Sequence, residues 1–368
     1  MIYLDHGATS FHKPREVVVA MERAMWTCAN PGRGGYPAAM NAARTVLSCR
    51  ERAGELFGCQ PEQVVFTGSC TQGLNIAIRT LVQPGDPVAI SGFEHNAVVR
   101  PLYGLEADIR VAGRKLFSWE DTLESFEKVL KSGVKAAVFT HVSNVFGYIL
   151  PVEKMAKMCR KYGVPFVVDA AQSAGILPVE PEKWGADFVA MPGHKGLMGP
   201  QGTGMLICRR EPKPLLYGGT GSLSASYEMP EFLPDRLEAG TLNVPGIAGL
   251  CAGMEWVMKG NMDLRLARQR QQVRYCAREL ERMGMQVFVG EHQSGTLSFV
   301  PKGDCEEVAQ ALANRKIAVR SGLHCAPLAH ESAGTLESGT VRISYGPEAS
   351  FGQTAKFLLN MEKIHLNL

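Results

Sequence analysis

Between residues 60 and 210 the chain alternates short apolar runs with longer amphipathic stretches. The runs "QVVFTG", "DPVAISG", "KAAVFTHV", "PFVVDA", "ADFVAM" and "GMLICR" are rich in Val, Ala, Ile and Phe, several without polar alternation. Apolar runs of this length predict strands covered on both faces. Between them "TQGLNIAIRTLV" and "PVEKMAKMCRKYG" carry helical spacing, the second closing on Gly163 as a helix stop. This order predicts an α/β fold, a mostly parallel sheet with helices on both faces. Around 245 the pattern changes to two long helices, "GIAGLCAGMEWVMK" and "DLRLARQRQQVRYCARELERMG". After Gly284 shorter elements return: "SGTLSFV", the helix "DCEEVAQALANRK", "IAVRSG", "GTVRISYG" and a final helix near "TAKFLLNMEKI". The second long helix reads as a bridge into a smaller α+β domain. The expected division is a large domain over 16–250 and a smaller one built from 1–15 and 251–368.

Composition narrows the function classes. The 368 residues are 45% apolar and 20% charged with a net charge of +3, ordinary for a globular protein. Arg265, Arg268, Arg270 and Arg274 are interleaved with helix formers and read as a solvated helical face, so neither nucleic acid nor membrane is expected as a partner. No run has the length of a transmembrane span, and "MIYLDHGATS" lacks the basic-then-apolar order of a signal peptide, which points to the cytoplasm. The ten cysteines form no C-x-x-C pair and have irregular spacing, supporting neither a metal site nor a disulfide framework.

Candidate chemistry begins with the glycine-rich turns. "GPQGTG" precedes a strand instead of following one, which removes the dinucleotide reading, and no G-x-x-x-x-G-K-[ST] occurs. In "FTGSCTQGLNIAI" a strand runs through Gly68–Thr71 straight into a helix, whose first amides with the Thr71 hydroxyl suit a phosphate; a capped helix with no ligand looks the same. Asp169 and Gln172 follow the buried strand "PFVVD", where open parallel sheets bind ligands, although a turn aspartate is an equal reading. Lys195 lies in "PGHKG" between two apolar runs, either a solvated loop lysine or a nucleophile with a lowered pKa. A phosphorylated aldehyde cofactor needs an amine, a carboxylate for its ring nitrogen and a phosphate cup, and these three sites supply them.

The motifs "YLDHGATS", "EHNAV", "THVSNVFG", "VVDAAQSAG", "PGHKGLMGPQGTG", "EAGTLN" and "VRSGLHCAP" follow one another in this order over nearly the whole chain. In these the sequence resembles class V aminotransferase-fold enzymes that use pyridoxal 5'-phosphate, in the cysteine desulfurase and selenocysteine lyase branch. The resemblance implies fold type I and a homodimer with sites at the subunit interface. It implies Lys195 as the Schiff-base lysine, Asp169 on the pyridinium nitrogen, Gln172 on the phenolic oxygen and His95 on the ring face as a proton shuttle. Cys70, Thr71 and His194 would line the phosphate, with Thr241 reaching in from the partner subunit. Asn144 and Arg342 would hold the substrate carboxylate, the arginine as a fork.

Cys325 matches the persulfide-forming cysteine, in the compact loop of the second desulfurase group; read alone, one cysteine among ten is usually a small buried apolar group. Arg320 and His324 are neighbours expected to favour its thiolate. Two positions depart from the pattern: Pro192 stands where relatives carry a phosphate-contacting serine, and Leu323 where the group has a first histidine. The implied reaction turns L-cysteine or L-selenocysteine into L-alanine, with sulfur passed to Cys325 or selenium released, and an acceptor protein downstream. Another class V aminotransferase or β-lyase, and a non-catalytic sulfur-transfer scaffold, are the alternatives.

Overall fold

The computed structural model describes residues 1–32 and 34–365. In chain order the elements are β1 (Ile2–Tyr3), α1 (Arg15–Thr27), α2 (Pro37–Phe57), β2 (Val64–Thr67), α3 (Cys70–Leu81), β3 (Pro87–Ser91), α4 (Asn96–Tyr103), β4 (Asp108–Ala112), α5 (Trp119–Lys131), β5 (Ala136–Thr140), α6 (Val152–Tyr162), β6 (Phe166–Asp169), α7 (Pro181–Trp184), β7 (Phe188–Pro192) and β8 (Gly204–Cys208). They continue with α8 (Val244–Lys259), α9 (Met262–Arg282), β9 (Gln286–Phe288), β10 (Thr296–Val300), α10 (Cys305–Asn314), β11 (Ile317–Ala318), β12 (Arg320–Gly322), α11 (Pro327–Ala333), β13 (Thr340–Ser344) and α12 (Phe351–His365).

Seven strands form the main sheet in the order β2-β8-β7-β6-β5-β3-β4. Only β8 runs against its neighbours; the other pairings are parallel, as the unbroken apolar runs predict. Strands β5, β6, β7 and β8 are buried at every position. Register sets Thr140 level with Asp169 and Asp169 level with Ala190, so the carboxyl ends of β5, β6 and β7 finish together. The chain leaves this edge at five places, each carrying motif residues: after β2, β3, β5, β6 and β7. That is where ligands bind in open parallel sheets.

The smaller antiparallel sheet has the order β12-β13-β10-β9. The run "IAVRSG" read as one element divides: Ile317–Ala318 pairs with the N-terminal strand β1, and Arg320–Gly322 pairs with β13. Helix α8 packs on α1 and α2, whereas α9 packs on β9, β10 and α12. Among the described residues no helix is long and apolar enough to cross a membrane.

Candidate active site

A cavity of about 240 Å³ opens at the carboxyl edge of the main sheet and is lined by eleven of the twelve expected site residues, all but Thr241. Asp169 lies at its floor, 2% exposed, and accepts the Ala171 N–H at 2.8 Å and the Cys70 thiol at 3.4 Å. The Cys70 side chain thus faces the carboxylate instead of a phosphate. Burial, reinforced by the Asp169 charge, pushes that thiol well above its ordinary pKa and keeps it neutral. What α3 offers an anion is its start: the first amides have no intrahelical acceptor, and Thr71 is exposed to the cavity. The Ser69 hydroxyl caps this end by accepting the Gln72 N–H at 3.2 Å. Gly204 must be glycine here, because a Cβ would come within 2.8 Å of the Ser69 main chain.

Lys195 borders the same cavity on the turn after β7. Burial lowers its pKa, opposed by the charges of Asp169 and then Cys70. The shift is toward the neutral amine that a nucleophile requires. Its neighbour His194 has its Nδ1 3.0 Å from Thr9 Oγ1, and burial, then Lys195, lowers its pKa to about 4. The His194 carbonyl accepts the Ser10 N–H at 2.9 Å and the Lys13 ammonium at 3.1 Å. Gln172 donates to the Gly7 carbonyl at 2.9 Å. The N-terminal segment is therefore laced to two of the expected cofactor ligands. Pro192 lines the cavity, and Thr203 does not replace the absent serine, since its hydroxyl donates to the Pro200 carbonyl at 2.7 Å.

His95 caps α4: its Nδ1 accepts the Ala97 N–H at 3.0 Å, so in the neutral ring the proton sits on Nε2. Burial lowers its pKa, with Asp169 acting the other way. The preceding Glu94, fully buried, accepts the Ser91 hydroxyl at 2.5 Å and the Thr140 N–H at 2.9 Å, tying the end of β3 to the end of β5. Nothing in the sequence marked it beyond its place in "EHNAV".

Arg320 and Arg342 are direct cross-strand partners on β12 and β13, and both line the cavity. Arg342, 2% exposed, already donates to Asp5 at 2.7 Å and to the Asn144 carbonyl at 3.0 Å, leaving its Nε buried without a partner. The fork expected to be open for a carboxylate is thus largely taken, and Asp5 is a site residue that sequence reasoning passed over. Among the described residues Arg320 forms no ion pair and is the free cation of this wall.

Cys325 is exposed at the cavity, next to the expected cationic neighbour His324. That expectation needs correcting: His324 is 5% exposed, and burial, then Arg342, lowers its pKa to about 2, so it is neutral. Arg320 alone of the two brings charge to this region. Both His324 and Cys325 adopt positive φ, 49° and 57°, each costing on the order of 1–2 kcal/mol in a residue with a Cβ. Thr241 lies elsewhere, exposed in a separate cavity of about 890 Å³ with Arg50, Glu238 and the glycines 219, 221 and 240. Glu238 fixes that loop by pairing with Arg50 at 2.5 Å and accepting the Phe66 N–H of edge strand β2 at 2.7 Å. No group of His, Cys, Asp and Glu among the described residues has the arrangement of a metal site.

The family model described as "Aminotransferase class-V" matches residues 2–355. A probable cysteine desulfurase of Pyrococcus abyssi is 33% identical over 387 residues, covering 99% of this chain and 94% of that protein. Another, of Methanothermobacter thermautotrophicus, is 32% identical over 364 residues, covering 92% and 89%. Among solved structures, the apo cysteine desulfurase of Thermococcus onnurineus matches with a TM-score of 0.92 at 32% identity, covering 100% of this chain and 95% of that one. The chain belongs to the class-V aminotransferase family. Pyridoxal 5'-phosphate is its cofactor, and the fold is that of fold type I. The residues present fit that group: a buried carboxylate for the ring nitrogen, an amine of lowered pKa, and a capped helix start facing the same cavity.

Proposed function

We propose that this chain is a cysteine desulfurase that converts L-cysteine to L-alanine and carries the sulfur as a persulfide on Cys325. The observation that carries the reading is the placement of an exposed cysteine at the cavity whose floor holds Asp169 and Lys195. Pyridoxal phosphate, when bound, supplies an electron sink for charge developing at the substrate α-carbon. Asp169 would hold the ring nitrogen protonated, Gln172 the phenolic oxygen, and the α3 start with Thr71 and His194 the phosphate. Cys70 would support this by donating its thiol to Asp169. Lys195, in its neutral form, would take the α-proton, and His95 would offer its Nε2 proton on the ring face.

Arg320, with the remaining N–H groups of Arg342, would receive the substrate carboxylate. The Cys325 thiolate then attacks the substrate sulfur: the S–S bond forms, the C–S bond breaks with its electron pair left on carbon, and protonation there completes alanine. The persulfide sulfur passes to an acceptor protein. The proposal includes a homodimer in which Thr241 serves the partner's site, the division into 16–250 and 1–15 with 251–368, whose last three residues lie outside the described residues, and a cytoplasmic location.

The test is product analysis with L-cysteine and L-selenocysteine. Alanine with sulfide, lost in Cys325→Ala, supports the reading; pyruvate or a keto acid places the chain among β-lyases or aminotransferases, and no turnover makes it a scaffold. Selenide release that outlasts Cys325→Ala by about tenfold relative to sulfide would mark a selenocysteine lyase, a barrier difference of roughly 1.4 kcal/mol.

A further inference from the structure

Cys325 sits in a turn that its own backbone resists. His324 and Cys325 are consecutive residues with side chains in the left-handed region, and such a conformation lasts only where the surroundings over-determine it. One bond of the turn is local, from the Ala326 N–H to the Leu323 carbonyl at 2.9 Å. The others come from outside. The Asn96 N–H donates to the Cys325 carbonyl at 2.8 Å, and the His324 ring nitrogen Nε2 lies 3.1 Å from Thr340 Oγ1. Asn144, on the loop after β5, donates its side-chain amide to the His324 carbonyl at 2.7 Å. Only the amide nitrogen can donate to a carbonyl, so this contact fixes which way the side chain points. Its oxygen is buried with no partner, and an acceptor there repels a carboxylate.

We propose that Asn144 is a positioning residue for Cys325: its amide pins the strained turn to the main sheet and holds the thiol at the cavity. This differs from its expected part in gripping the substrate carboxylate. The same loop carries both ends of the arrangement, because the Asn144 main-chain carbonyl accepts from Arg342. A bond lost at Asn144 therefore leaves the arginine held while freeing the turn.

The test uses the cofactor-loaded protein without substrate and reads hydrogen exchange at the Asn96 and Ala326 amides, corrected for intrinsic rates. In Asn144→Ala both amides should exchange about tenfold faster, the effect of removing one buried hydrogen bond from a strained turn. Asn144→Asp keeps the shape but, when ionised, has no proton to donate. Its amides should exchange fast at about pH 8 and regain protection toward about pH 5, as the buried carboxyl takes up a proton and can donate again. Asn144→Ala should show no such recovery. With L-cysteine, kcat should fall in both variants while KM stays within about twofold, the pattern of a lost transition-state arrangement.

Unchanged exchange together with a KM raised about tenfold would overturn the proposal and return Asn144 to the carboxylate. If Asn144→Ala fails to fold, the two-pH comparison within Asn144→Asp decides, and absence of recovered protection there rejects it. The activity arm rests on the desulfurase reading. The exchange arm does not, so an inactive parent protein with a pinned turn would sink that reading and leave this one standing.

Discussion

Among the described residues Glu94 forms no ion pair, and burial pushes its pKa up from 4.5 to about 8 against the donors of Ser91 and Thr140. The folded protein keeps this proton well above the pH at which the unfolded chain loses it. The site's contribution to stability is then fully present below pH 4.5 and declines as pH climbs toward 8. Glu94→Gln should remove that slope: between about pH 5 and 8 the parent's melting temperature should drop more than the variant's, and parallel curves would place the titration elsewhere. Lys195 makes a second prediction. Borohydride treatment of the cofactor-loaded protein should add the cofactor's mass to the peptide carrying Lys195, and Lys195→Ala should abolish this; an unmodified Lys195 would reject the assignment. Lys195 and Asp169 were legible because each interrupts an apolar run where a charge needs a reason to be. Glu94 and Asp5 were not, since Thr140 and Arg342, which they meet, come from distant parts of the chain and neither neighbourhood in the sequence shows burial. Asn144 was read from its motif as a carboxylate ligand, and the carbonyl it faces belongs to a residue 180 positions away.

Helix α3 joins sequence to site at the next scale. Its start is fixed by the Ser69 cap, and its inner face presses Gly73 against Ala190 and Leu206 of the sheet, where a Cβ would meet Ala190 at 3.3 Å. Ser69→Ala should cost about 1 kcal/mol in urea unfolding, the usual loss for a removed cap. It should also speed cofactor dissociation, because the free amides beside the cap are the ones proposed to hold the phosphate, whereas Ser69→Thr should keep most of both. Equal cofactor off-rates in all three proteins would detach this helix start from the phosphate. The strands around α3 were readable because burial on both faces leaves unbroken apolar runs. Strand β4 was not: at the sheet edge "DIRVA" mixes Asp108 and Arg110 into the pattern and has only Ala112 fully buried. "IAVRSG" misled for another reason, since periodicity reports that residues are extended but not that the chain changes sheets between Ala318 and Arg320.

At the scale of the whole molecule, α1 and α2 carry apolar side chains that a solitary chain has little reason to expose. Trp26 is 83% exposed and Met25 71%, with Val18 and Val19 on the same helix and Met40 and Leu47 on α2. Clustered exposed apolar side chains of this kind, Val18, Val19, Met25 and Trp26 recurring on one side of α1, are the usual mark of a contact surface. The larger cavity, which contains Thr241, borders Met40 and Leu47 and holds none of the residues of the catalytic cavity. A threonine that the family pattern assigns to the phosphate is thus exposed away from its own chain's site, which supports its serving a second copy. A twofold assembly exchanges the same surface in both directions, so each site would draw Lys195 from one subunit and Thr241 from the other. Lys195→Ala and Thr241→Ala proteins, each weakly active or inactive alone, should then complement when unfolded and refolded together. Random pairing makes half of the dimers mixed, and each mixed dimer holds one site with both residues intact, so about a quarter of parental activity should return. If Thr241 served its own chain, every mixed dimer would contain one site without the lysine and one without the threonine, and refolding together would restore nothing beyond the sum of the two separate proteins.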